Sequence, residues 1–136
     1  MKPIKIQGSV WEGAEFRILA QVVDLDNTLL VHSTDPGAYT YALNIYDLGS
    51  QTPSTAFATP SVGALLETSS QTGPEWTLDS TGYTFDFRWT KTLNDANSLV
   101  GGHTYRFEFT ITTTLGTPNI GMVPVVADIK TLPRFS

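Results

Sequence analysis

Residues 83–90 read YTFDFRWT, so Tyr83, Phe85, Phe87 and Trp89 alternate with Thr84, Asp86, Arg88 and Thr90. A period of two sends successive side chains to opposite faces of an extended chain. This octapeptide therefore predicts a β-strand with an aromatic inner face and a polar outer one. The rhythm recurs on both sides of it. Phe16, Ile18, Ala20 and Val22 alternate with Arg17, Leu19, Gln21 and Val23, and Tyr39, Tyr41, Leu43 and Ile45 follow after a turn-rich loop. Residues 104–113 repeat it through Tyr105, Phe107, Phe109 and Ile111, and Val123, Val125, Ala127 and Ile129 close the series. Short alternating strands parted by turn residues predict an all-β chain, an antiparallel sandwich or barrel. No stretch carries a convincing amphipathic-helix period.

Composition agrees. The chain has 136 residues, the size of one domain with a core of its own (residues 1–136). Twenty threonines and only 15% charged residues make a β composition. Cysteine is absent, which removes disulfides, thiolate nucleophiles and thiolate metal sites. The 8 Lys and Arg against 13 Asp and Glu give a net charge of −5, and the cations are scattered. Neither nucleic acid nor an anionic membrane is an expected partner of such a surface. The opening MKPIKIQGSVWEG lacks the apolar run of a secretion signal, and no stretch reaches the length of a membrane span. Synthesis in a cytoplasm is the expectation. Two segments stand apart from the strands: an N-terminal arm, 1–12, and a connection over 49–74 whose only charge is Glu67. Short edge strands around 56–58 and 64–67 are expected within it.

Catalytic candidates are few. His32 and His103 are the only histidines, and no Gly-x-Ser-x-Gly pattern accompanies them. His103 follows Gly101 and Gly102 and precedes Tyr105, at the start of an alternating strand. The two glycines suit a tight corner closed by the Tyr105 hydroxyl, with a 3₁₀ turn over residues 94–99, so His103 is read as a loop residue. Among the acids, Glu75 and Asp79 flank Trp76 in TGPEWTLD, whereas Asp86, Glu108 and Asp128 fall on polar strand faces. Trp76 is the best candidate for an exposed ring that stacks on a sugar, with Glu75 and Asp79 beside it. Asp24, Asp26 and Asn27, with Asp35 nearby, resemble the start of a calcium loop. The glycine and distal glutamate of such a loop are missing, and turn formation explains these residues as well. No catalytic residue, metal or cofactor is assigned.

Taken in order, the segments WEGAEFRILAQVVDLDN, AYTYALNIYD, STGYTFDFRWT, GHTYRFEFTITTTLGT and PVVADIKTL resemble the immunoglobulin-like domains of tailed-phage structural proteins. The resemblance implies an immunoglobulin-like sandwich in a virion, as a head decoration (cement) protein or a head–tail or baseplate accessory, with no enzymatic activity. It implies contacts with a major capsid protein or other virion subunits and a homo-oligomer, a trimer if it sits at a three-fold site. The residues expected at such contacts are Ile4, Ile6 and Trp11 in the arm and Phe57, Leu65 and Leu66 in the low-charge connection. A glycan- or receptor-binding module centred on Trp76 is the alternative from another class.

Overall fold

The computed structural model describes residues 4–23, 29–32, 39–113 and 121–133. Seven strands and one short helix follow in the order β1 (Ile4–Trp11), β2 (Phe16–Ala20), β3 (Tyr39–Asp47), β4 (Leu66–Gln71), β5 (Tyr83–Trp89), α1 (Lys91–Ala96), β6 (Thr104–Thr113) and β7 (Gly121–Leu132). They form a four-stranded sheet ordered β1-β7-β6-β3 and a three-stranded sheet ordered β2-β5-β4, a sandwich-like pair. All pairings are antiparallel except β1 with β7, which runs parallel in unbroken register from Ile4↔Val125 to Trp11↔Leu132.

Alternation fills the space between the sheets. Phe85, Phe87 and Trp89 of β5 meet Phe107 and Phe109 of β6, with Phe85 edge-on to Phe109 at 5.0 Å and Trp89 edge-on to Phe107 at 5.5 Å. Ile18, Leu43, Ile45, Ile111, Val125 and Ile129 are among the residues that extend the cluster. On the outer face Arg106 grips its register partner Asp128 through two bonds, Nε–Oδ1 at 2.8 Å and Nη2–Oδ2 at 3.0 Å.

The corner before β6 closes as a set of hydrogen bonds. The Tyr105 hydroxyl turns back and accepts the Val100 N–H at 2.8 Å, and Glu12 accepts the Gly101 N–H. A Cβ at Gly101 would sit 2.6 Å from Pro133 Cα, so only glycine fits there. Residues 94–99 do not form the expected 3₁₀ turn. The chain crosses from β5 to β6 through α1, a helix capped by the Thr90 hydroxyl on the Leu93 N–H. Six residues are too few to print a helical period on the sequence.

Three further expectations are corrected. The segment read as an arm is largely strand: residues 4–11 are the outermost strand of the larger sheet, and removing them strips that sheet rather than freeing a docking tail. Leu65 and Leu66 are each 4% exposed and belong to the core, so neither can be an interface residue. Tyr83 is buried, yet it stands outside the core cluster that holds Phe85, Phe87 and Trp89. The β4–β5 register shifts between Leu66 and Gln71, and one irregularity of this kind is enough to break a face assignment based on strict alternation.

Candidate functional site around Trp76

Tyr83 lies beneath the segment that the sequence singles out. The Trp76 ring packs against it at 5.7 Å, and its hydroxyl donates to Glu75 Oε1 at 2.8 Å. Arg17, one strand away on β2, reaches the same hydroxyl with Nη2 at 3.3 Å. Its stronger grip is on Asp86, with Nη2–Oδ2 at 2.7 Å and Nε–Oδ1 at 3.2 Å. Register explains this chain of contacts. Phe16↔Trp89 and Ile18↔Phe87 point inward, so Arg17, Asp86 and Arg88 share the outer face.

Asp79 organises the loop. Its Oδ1 accepts from Trp76 Nε1 at 2.9 Å and from the N–H groups of Thr81 and Gly82, both at 3.1 Å. Gln21 Nε2 donates to both its oxygens, at 3.0 and 2.8 Å. The structure thus brings the three expected residues Glu75, Trp76 and Asp79 together, and adds Arg17, Gln21 and Tyr83, which no sequence pattern groups with them. Arg17 and Gln21 read as solvent-facing strand positions and Tyr83 as core.

The electrostatics follow from these partners. The Asp79 carboxyl is held below the usual carboxylate range, first by the Trp76 indole N–H and then by the Gly82 amide. Glu75 is lowered as well, by its own backbone N–H and by the Tyr83 hydroxyl. Burial, and then the bond to Glu75, raises Tyr83, and the bond to Asp86 raises Arg17. Glycoside hydrolysis by a carboxylate pair needs one member kept protonated. Both carboxyls here move the other way.

A pH titration tests the Asp79 assignment. Its folded pKa is depressed, so its stabilising contribution is complete above the usual carboxylate range and is lost as pH falls through that range and below it. The Trp76 indole N–H resonance should then shift on acidification, and in Asp79→Asn it should have lost its acid titration. A Trp76 signal that titrates identically in both proteins refutes the Asp79–Trp76 bond.

Beside Trp76 a cleft of about 330 Å³ opens between the edges of the two sheets, lined by Val10, Phe16, Ile18, Ile129, Trp76 and Leu78 among others. Elsewhere the two histidines are engaged. His103 Nδ1 lies 2.8 Å from Asp47 Oδ2 and its ring stacks on Tyr105. His32 Nδ1 lies 2.7 Å from the Tyr41 hydroxyl, whose pKa is pushed up to about 12, first by burial and then by Tyr39. Among the described residues no serine or threonine hydroxyl bonds either imidazole, and no group of three His, Asp or Glu side chains is placed to hold a metal. The calcium-loop candidates Asp24, Asp26, Asn27 and Asp35 lie outside the described residues. No helix among those residues is long and apolar enough to cross a membrane.

Of the expected interface residues, Trp11 and Phe57 are exposed, Phe57 resting on Tyr105 at 5.5 Å. Ile4 and Ile6 are placed in β1 by their backbone. No family model matches this chain, and no curated protein or solved structure is significantly similar to it.

Proposed function

We propose that this protein is a structural assembly module on an immunoglobulin-like sandwich, a capsid decoration protein of a tailed phage that stabilises the head through subunit contacts. The observation that carries the reading is the contrast between its polar and apolar surface. The side chains able to do chemistry bind one another: Glu75 with Tyr83, Asp79 with Trp76, His103 with Asp47, His32 with Tyr41. Large apolar side chains, by contrast, stand in water, with Leu78 78%, Trp11 56%, Val100 48% and Phe57 43% exposed. A surface of that kind offers complementarity to a partner rather than a reaction. The immunoglobulin-like type is supported by the orders β2-β5-β4 and β7-β6-β3, which parallel the B-E-D and G-F-C orders of that fold, and by the Tyr105 corner. The virion setting rests on the resemblance of the strand segments.

Sedimentation of a gentle lysate of the natural source, with mass spectrometry of each fraction, tests it. The chain is expected with megadalton particles, bound to capsid or other virion subunits. Recovery only as a small free protein overturns the reading. A glycan- or receptor-binding module is the second reading, favoured by the cleft beside Trp76. It predicts that Trp76→Ala abolishes ligand binding and leaves assembly unchanged.

A further inference from the structure

The two sides of the sheet pair differ in how their edges are protected. On one side the chain crosses its own edges. Phe57 and Ala58 bond to Ile45 of β3, and the His32 N–H bonds to the Glu67 carbonyl of β4. On the other side, the outer edge of β1, which pairs with β7 alone, is bonded among the described residues only at its last residue, where the Trp11 carbonyl accepts the Ala14 N–H at 3.0 Å. An edge strand leaves a row of N–H and C=O groups that another strand can take up, and proteins usually blunt such rows with proline, a bulge or charge. β1 has eight residues in continuous register, no proline, and Lys5 as its only charge. The neighbouring edge, β2, is five residues long, holds Arg17 locked to Asp86, and is tied at Gln21 to the Asp79 loop.

We propose that β1 is a self-association edge. In this arrangement β1 of a second copy adds antiparallel across a two-fold axis that passes between the two Gln7 residues, joining two four-stranded sheets into one of eight. The complement of an open strand edge is a strand, because main-chain bonds supply the affinity and grooves beside the edge supply the selectivity. A second copy fits for two reasons. The chain carries a net charge of −5, yet β1 has no carboxylate, so two copies approach where their mutual repulsion is least. In the symmetric register Lys5 lies opposite Ser9 of the other strand and Ile4 opposite Val10, so no like charges are opposed. An isologous contact also presents the same elements from both sides. The cleft between β1 and β2, with Leu78 at its lining, faces its own copy and loses water there. Such a contact closes at two subunits, not three. The inference names one contact of the assembly reading and rests on it.

Sedimentation velocity of the purified full chain over a range of concentrations tests it, with amide exchange of residues 4–11 as a second readout. A reversible dimer is expected, with slower exchange in β1 as the dimer fills. Ser9→Lys charges the edge, and Leu78→Glu charges the cleft without touching a strand. Both are exposed positions, and both variants should be monomeric with the near-ultraviolet circular dichroism of the parent. A parent that stays monomeric, closes as a trimer or forms open-ended aggregates overturns the proposal, as does a dimer that persists in both variants. Because the protein is studied alone, failure here leaves the particle sedimentation result standing.

Discussion

Replacing Phe107 by alanine is expected to lower the free energy of unfolding by about 3–5 kcal/mol, the range for truncating an enclosed aromatic ring. Phe107 is fully buried at the middle of β6. Its ring meets Trp89 at 5.5 Å, Phe16 at 5.8 Å, Phe87 at 6.2 Å and Phe109 at 6.3 Å. Those neighbours come from β2 and β5 of one sheet and from its own strand, so this ring is a joint between the two sheets. Removing it creates a cavity lined by large rings on rigid strands, which can collapse only in part. Since a domain of this size has about 5–15 kcal/mol in all, the loss is a large share of it. Urea unfolding followed by tryptophan emission measures the change. Phe107→Leu, which keeps most of the volume, should lose clearly less. A loss under about 1 kcal/mol for the alanine variant would mean that the ring is not enclosed, and that the sheets do not pack through β6.

Period-two alternation made five of the seven strands readable, because β2, β3, β6 and β7 each bury one face and leave the other more open, and β5 does so from Phe85 onward, although its Thr84 is fully buried. β1 and β4 lack that signature for physical reasons. β1, IKIQGSVW, breaks at Gly8 and exists as a strand through β7, a partner more than a hundred residues away. β4, LETSSQ, has a single apolar residue and is held by β5. The low charge of the surrounding connection reads as solvent-exposed chain, yet Leu65 and Leu66 reach the core. The site was half legible. Glu75, Trp76 and Asp79 are neighbours in sequence and a turn-forming aspartate is a local signal, so their grouping could be foreseen. The turn of the buried Tyr83 toward Glu75 and Arg17, away from the core cluster, accompanies a register shift between two strands, and no single-strand pattern encodes that. Tyr83 then draws in Arg17, whose partner Asp86 lies in another strand altogether.

Gly82, itself buried, is the least replaceable neighbour of the site. Its φ of +93° lies in a region that residues with a Cβ rarely adopt, and a Cβ there would press on the carbonyl oxygen of Gln71 and lie 2.9 Å from its carbonyl carbon. Gln71 is the register partner of Tyr83, so the obstruction is backbone held in the β4–β5 ladder and cannot swing aside as a side chain could. Gly82→Ala is therefore expected to cost about 2–5 kcal/mol, from a disfavoured φ at roughly 1–3 kcal/mol and overpacking of similar size. The damage should be local at first. Gly82 also donates its N–H to Asp79, so the variant loosens the loop that holds Trp76 before it opens the core around Trp89. Gly63→Ala is the matched control, because its Cβ would meet nothing within 4 Å. That change should be neutral or gain a few tenths of a kcal/mol by restricting the unfolded chain. Thermal unfolding of the two variants, with indole resonances assigned to Trp76 and Trp89, separates the cases. Equal stability of Gly82→Ala and Gly63→Ala would show that the Gln71–Tyr83 pairing gives way. The network from Asp79 through Tyr83 to Arg17 would then rest on the side chains alone.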